Sequence, residues 1–192
     1  MVVGVKEKGW ELRRKMVDLS YRLPVPRLPP MPIPSPEMPL PCRLADPLPP
    51  YRYVPGLNAH PLRHPDGHSH HPPPLDIERF WIRGLDLYDH RFYWESHETW
   101  EAAWKAVPPG TRRELLQGLI QLAAATLKQH LGQPRPARRL LLRGGGRIEA
   151  VIAAEGAVWW GVDLPATLAS ARGFVEGAGD WPVICPVYSR IC

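Results

Sequence analysis

Residues 90–104 read His-Arg-Phe-Tyr-Trp-Glu-Ser-His-Glu-Thr-Trp-Glu-Ala-Ala-Trp. On a helix, at about 100° per residue, Tyr93, Trp94, His97, Glu101 and Trp104 share one broad face. Glu98 lies at its edge, and His90 joins it if the helix starts there. Buried polar groups on such a face must be hydrogen-bonded. An aromatic pocket raises a carboxyl pKa, and a carboxylate beside an imidazole keeps the ring charged. That chemistry suits an acid/base site, with His97 as base and Glu98 or Glu101 orienting it. It also suits metal ligation, because His90, His97 and Glu101 would supply the three protein donors of a catalytic zinc. The His97-Glu98-x-x-Glu101 spacing nevertheless lacks the second histidine of the His-Glu-x-x-His zinc motif. A polar network that only ties two helices together accounts for the same residues. Gln117 and Gln121, four apart in the following segment, are expected to face this set and complete a polar pocket between the second and third helices.

The elements that must position these residues are helical. Asp76 is placed to cap a first helix running to about Tyr88, and Asp89 to cap a second from His90 to about Ala106. Val107-Pro108-Pro109-Gly110 stops the second. Thr111 and Glu114 have the capping-box spacing and open a third helix, which ends before Gly132 at the usual C′ position. A fourth begins near Pro136. Gly144-Gly145-Gly146 would cost it roughly 3 kcal/mol relative to alanine, so a kink or break is expected there. Asp163 caps a short fifth helix with Leu164, Leu168 and Phe174 on its apolar side. Strand signals are almost absent. The expected fold class is all-α, an up-and-down bundle of about five helices, preceded by a proline-rich, non-regular N-terminal arm.

The arm is visible in the composition. Of 25 prolines in 192 residues, 18 fall in residues 1–75. Prolines remove backbone donors and fix φ, so residues 24–50 are read as an extended linker. The organisation expected is a mostly disordered arm over 1–50, a His/Pro-rich lead-in over 51–75 packed on the domain, a bundle over 76–176 and an irregular tail over 177–192. The net charge of +5 comes mainly from the arm, which carries ten basic and six acidic residues. No clustered basic stripe of the kind nucleic-acid binding uses is evident. Three cysteines, Cys42, Cys185 and Cys192, lie in the flanks without a Cys-x-x-Cys pair, which argues against a disulfide framework. No apolar run approaches the ~18 residues of a membrane span. Residues 1–19 lack the apolar core of a signal peptide, so a reduced, cytoplasmic location is expected.

Residues 87–101, Leu-Tyr-Asp-His-Arg-Phe-Tyr-Trp-Glu-Ser-His-Glu-Thr-Trp-Glu, together with Leu116-Gln-Gly-Leu-Ile-Gln, resemble the domain-of-unknown-function 309 family. The likeness extends over roughly residues 76–172. Tyr53-Val-Pro-Gly-Leu-Asn-Ala-His-Pro and Asp66-Gly-His-Ser resemble the lead-in of one branch. The resemblance implies a closed helical bundle of about five helices and carries no established activity. Its motif positions here are Tyr93, Trp94, Glu95, His97, Glu98, Gln117, Gly118 and Gln121. Asp89 stands where the family has asparagine, and Arg91 where it has glycine. The triple glycine falls where family members continue a charged helix.

Five of eight histidines, His60, His64, His68, His70 and His71, crowd the lead-in. Such a tract is read as solvated or weakly metal-binding, or His60 or His68 docks onto the second helix. Three functions stay open: an acid/base or metal-dependent hydrolase, a metal-binding protein, and a peptide- or protein-binding helical scaffold. No cofactor is implied beyond a divalent metal. A membrane or nucleic-acid partner is not expected, and a protein partner or homo-oligomer is left open.

Overall fold

A computed structural model describes residues 43–44, 46–58, 60 and 76–185. Most of the proline-rich arm, His64, His68, His70 and His71, and Cys42 and Cys192 lie outside the described residues. Five helices follow one another: α1 (Ile77–Asp89), α2 (Tyr93–Ala106), α3 (Thr111–His130), α4 (Pro134–Glu155) and α5 (Leu164–Glu176). Each packs on its successor, and α5 also reaches α3. This is the expected all-α bundle, with one addition. A two-residue hairpin, β1 (Val158–Trp159) and β2 (Val162–Asp163), precedes α5 and pairs Trp159 with Val162. Its turn residues, Trp160 and Gly161, have φ of 43° and 77°, the positive pair that a tight hairpin requires.

Two of the expected caps form. Asp76 accepts a hydrogen bond from the Arg79 N–H, and Asp163 accepts one from the Ala166 N–H. Two do not. Asp89 is the last residue of α1, and α2 begins at Tyr93 with Phe92 at its N-cap and no side-chain cap. The Asp89 carboxylate instead holds Arg43 at 2.8 Å and the Ile184 N–H at 2.6 Å. Burial raises its pKa, and the Arg43 guanidinium opposes that rise. Asp86, one turn earlier, accepts from the Arg43 and Leu44 backbone N–H groups, both at 2.9 Å. These two acids therefore fasten arm and tail to α1. The capping box of Thr111 and Glu114 is also unmade, because Gly110 takes the N-cap and Glu114 pairs with Arg147 of α4.

The α1–α2 joint explains the departure at Arg91. The Phe92 N–H bonds the Leu87 carbonyl at 2.8 Å and the Arg91 N–H bonds the Tyr88 carbonyl at 2.9 Å. These are the two bonds of a Schellman ending, whose C′ residue is left-handed and usually glycine. Arg91 occupies that position at φ 66°. Its guanidinium lies 4.7 Å from the centre of the Trp181 ring. Gly132 plays the same part after α3 as the sequence predicts, with φ 68°.

The expected break in the fourth helix is absent: α4 runs through all three glycines. The reason is packing. A Cβ on Gly144 would lie 2.8 Å from the Gly118 carbonyl oxygen and 3.0 Å from Gln121 Cβ. A Cβ on Gly118 would lie 2.7 Å from Ile148 Cγ1. The backbones of α3 and α4 thus approach where neither carries a side chain. Gly145 faces Leu168 of α5, and only Gly146 faces open space. Close approach on two sides outweighs the weak helical preference of glycine, which tertiary context commonly overrides.

Candidate functional site

The buried stripe of α2 is Tyr93, Ser96, Trp100 and Ala103. The face expected to be buried is therefore corrected: Trp94, His97, Glu101 and Trp104 lie beside the core and are only partly covered. Ser96 is sealed because its hydroxyl donates to the Gly84 carbonyl at 2.9 Å. Trp100 is fully buried and sits against Gly84, where a Cβ would come within 2.0 Å of its Nε1. That glycine fixes the α1–α2 spacing and so the rotation of α2. Tyr93 has its phenol pKa raised by burial and belongs to the core.

The lead-in crosses the half-covered face. Asn58 folds it into a turn, accepting from the Val54 N–H at 2.9 Å, and Val54 is buried in the core. Tyr53, His60 and Trp94 form a three-ring cluster with centroids 4.8–5.0 Å apart, all edge-to-face. Beside it the Tyr53 N–H donates to Glu95 Oε1 at 2.6 Å. Glu95 Oε2 is buried and has no hydrogen-bond partner among the described residues. Burial raises the Glu95 pKa to about 7, with the Tyr53 N–H and the Arg52 charge acting against the rise.

One turn further along, His97, Glu98 and Glu101 bring one donor atom each to within 4.8 Å of one another. Their side chains are 30%, 48% and 33% exposed, so the group is open to solvent on one side. His97 Nδ1 is 3.2 Å from Glu98 Oε1, and Glu101 Oε1 is 3.1 Å from Lys105 Nζ. The bond to His97 is the main reason the Glu98 pKa is lowered. His90, the remaining metal candidate, is not in this group. Its Nδ1 lies 2.7 Å from the Asp86 carbonyl oxygen at the end of α1.

Gln121 faces a different seam. It lines a cleft of about 560 Å³ between α3 and α4 with Glu114, Arg143, Gly146, Arg147 and Ala150. Gln117, one turn earlier on α3, is partly buried. The predicted set is thus brought together in part: three donors on α2, and Gln121 over α4. Arg43 and Asp86 were not singled out in the sequence. Neither has a local signal, since their partners lie more than 40 residues away.

This architecture defines a small helical-bundle class with a polar, partly covered second helix. Residues 81–140 match the model of the family described as Domain of unknown function (DUF309). No curated protein and no solved structure matches the chain. Among the described residues no helix is long and apolar enough to cross a membrane.

Proposed function

We propose that the protein binds a divalent transition-metal ion through His97, Glu98 and Glu101. The observation that carries this reading is the convergence of the three donor atoms within 4.8 Å on a half-exposed face. The donor set fits such an ion. Metal–ligand bonds of about 2.1 Å place tetrahedral donors roughly 3.4 Å apart, and the His97–Glu98 separation is already 3.2 Å. Glu101 completes the set by turning from Lys105. One imidazole and two carboxylates suit zinc or manganese better than copper(I), which prefers sulfur. Three protein ligands leave coordination positions open, and a metal there would supply Lewis acidity or an activated water. The hydrolase reading of His97 with Glu98 or Glu101 would take that form.

The test is calorimetric titration of Zn²⁺ into the full chain with His64, His68, His70 and His71 replaced by glutamine, which removes the lead-in tract as a competing site. One binding site is expected, lost in His97→Ala and weakened at least about tenfold in Glu101→Gln. Unchanged affinity in both variants overturns the assignment.

A further inference from the structure

The charges of α4 run against its own helix. Arg135, Arg138, Arg139 and Arg143 crowd its N-terminal half with no acid in the first turn, while Glu149 and Glu155 fall toward its C-terminal end. Aligned peptide dipoles make a helix N-terminus positive and its C-terminus negative, which favours the opposite layout. The four arginines are exposed and have no ion-pair partner among the described residues. Only Arg147, further along, is held by Glu114. At about 100° per residue, Arg135, Arg138, Leu142, Gly146, Glu149 and Ala153 lie within about 80° of one another. All six are exposed, on the side opposite Gly144, which packs on α3. Leu142 is 75% exposed, more than any other large hydrophobic residue among the described residues. Along the helix this strip reads basic, then apolar, then acidic.

A strip ordered in this way complements itself when reversed. Two parallel copies would set arginines against arginines. A two-fold axis crossing α4 near residue 144 runs the copies antiparallel, and Arg138 then faces Glu149 of the second copy, because the two positions are nearly equidistant from that centre. The same symmetry brings both Leu142 side chains together beside the axis, where Gly146 adds no side chain. It also lays the negative C-terminal end of each α4 against the arginines of the other. A nucleic-acid backbone fits less well, since it offers no cation to Glu149 and no apolar cover to Leu142. We propose that α4 is a self-association surface on which a second copy of this chain docks antiparallel, with Leu142 at the centre and an Arg138–Glu149 pair on either side. Such isologous pairing closes on itself as a dimer. Within one chain Glu149 pairs with Arg172 of α5, both about half exposed, and Arg138 of the second copy extends that pair into a network.

Sedimentation velocity of the full chain tests this, under reducing conditions and over a range of protein concentrations. A reversible monomer–dimer equilibrium is expected, weakening as added salt screens the ion pairs. Leu142→Gln replaces an exposed side chain, so the single copy still folds, and it should weaken the dimer about tenfold or more. In an Arg172→Gln background, Arg138→Glu and Glu149→Arg should each weaken the dimer, and the two together should restore it to within a few-fold. Within one chain these residues are separated by about 16 Å of helix, so the rescue reports contact between copies. A chain that stays monomeric throughout overturns the proposal. So does a dimer unchanged by Leu142→Gln, or a charge exchange that restores nothing. Retardation of a nucleic-acid duplex by the monomer, lost in Arg138→Glu, would assign the face to a polyanion and overturn it as well.

Discussion

Three successive glycines in α4 meet three different surroundings, so alanine substitutions at 144, 145 and 146 should differ in sign. Alanine in place of a helix-interior glycine gains about 1 kcal/mol where nothing opposes the new methyl. Gly146 is that case, with nothing within 4 Å, and Gly146→Ala should stabilise by most of that amount. At Gly145 the methyl would sit 3.3 Å from Leu168 Cδ1, the flexible end of a side chain that can move by a few tenths of an ångström. Gly145→Ala should fall between neutral and a gain of about 1 kcal/mol. At Gly144 the obstacles are the Gly118 carbonyl oxygen at 2.8 Å, Gln121 Cβ at 3.0 Å and the Leu122 nitrogen at 3.3 Å. Two of these are backbone, so the helices themselves must part. Overpacking of this kind costs about 1–3 kcal/mol, and after the helical gain a net loss of up to about 2 kcal/mol remains. Urea denaturation followed by far-ultraviolet circular dichroism measures all three. The order 146, then 145, then 144 is the result expected. Equal stabilisation by all three would show that α3 and α4 do not approach at Gly118. Destabilisation by Gly146→Ala would show that the chain leaves the helix there.

Gly84→Ala should destabilise by more than about 2 kcal/mol in the same assay, because its methyl would lie 2.0–2.5 Å from the fully buried indole of Trp100. Arg91→Gly should be more stable than Arg91→Ala by about 1 kcal/mol: both lose the guanidinium over Trp181, and only glycine is unstrained at φ 66°. In metal-free protein, Glu95 raised to about 7 binds its proton more tightly folded than unfolded, so its contribution to stability is lost as pH rises from about 4.5 to about 7. Glu95→Gln keeps an acceptor for the Tyr53 N–H and removes the titration. Its stability relative to the parent should increase by about 3 kcal/mol between pH 4 and pH 8, and a pH-independent difference would refute the burial of the charge.

What the sequence made legible was local. Asp76, Asp163 and Gly132 act through atoms three or four residues away, so spacing alone placed them correctly. Asp89 and Glu114 had the same local credentials and were claimed by arginines from distant segments. A carboxylate that can either cap a helix or meet a guanidinium is decided by tertiary structure, which spacing does not contain. The misplaced face of α2 has a related cause. Its true core stripe includes Ser96 and Ala103, two small residues that give little hydrophobic signal, while Trp94 and Trp104 give a strong one from the flank. Ser96 belongs inside only because Gly84 offers it a carbonyl. The hairpin escaped notice because strands of two residues are too short to show an alternating pattern.

The motif positions also divide by role once the packing is known. Tyr93 fills the core, Gly118 permits the α3–α4 approach, and residue 91 is the C′ of a helix ending. These positions make the joints of the bundle and would be needed whatever the bundle does. Glu95, His97, Glu98 and Gln121 are not used in this way. The first three lie on α2 under or beside the lead-in, and Gln121 lies over α4 in another seam. A motif that reads as one pocket along the chain is therefore two surfaces separated by the body of α3. The two surfaces therefore answer to different variants. Arg143→Gln, on the α3–α4 side, should leave the zinc affinity of the α2 donors intact. Loss of zinc affinity in Arg143→Gln without unfolding would mean that the two seams are coupled.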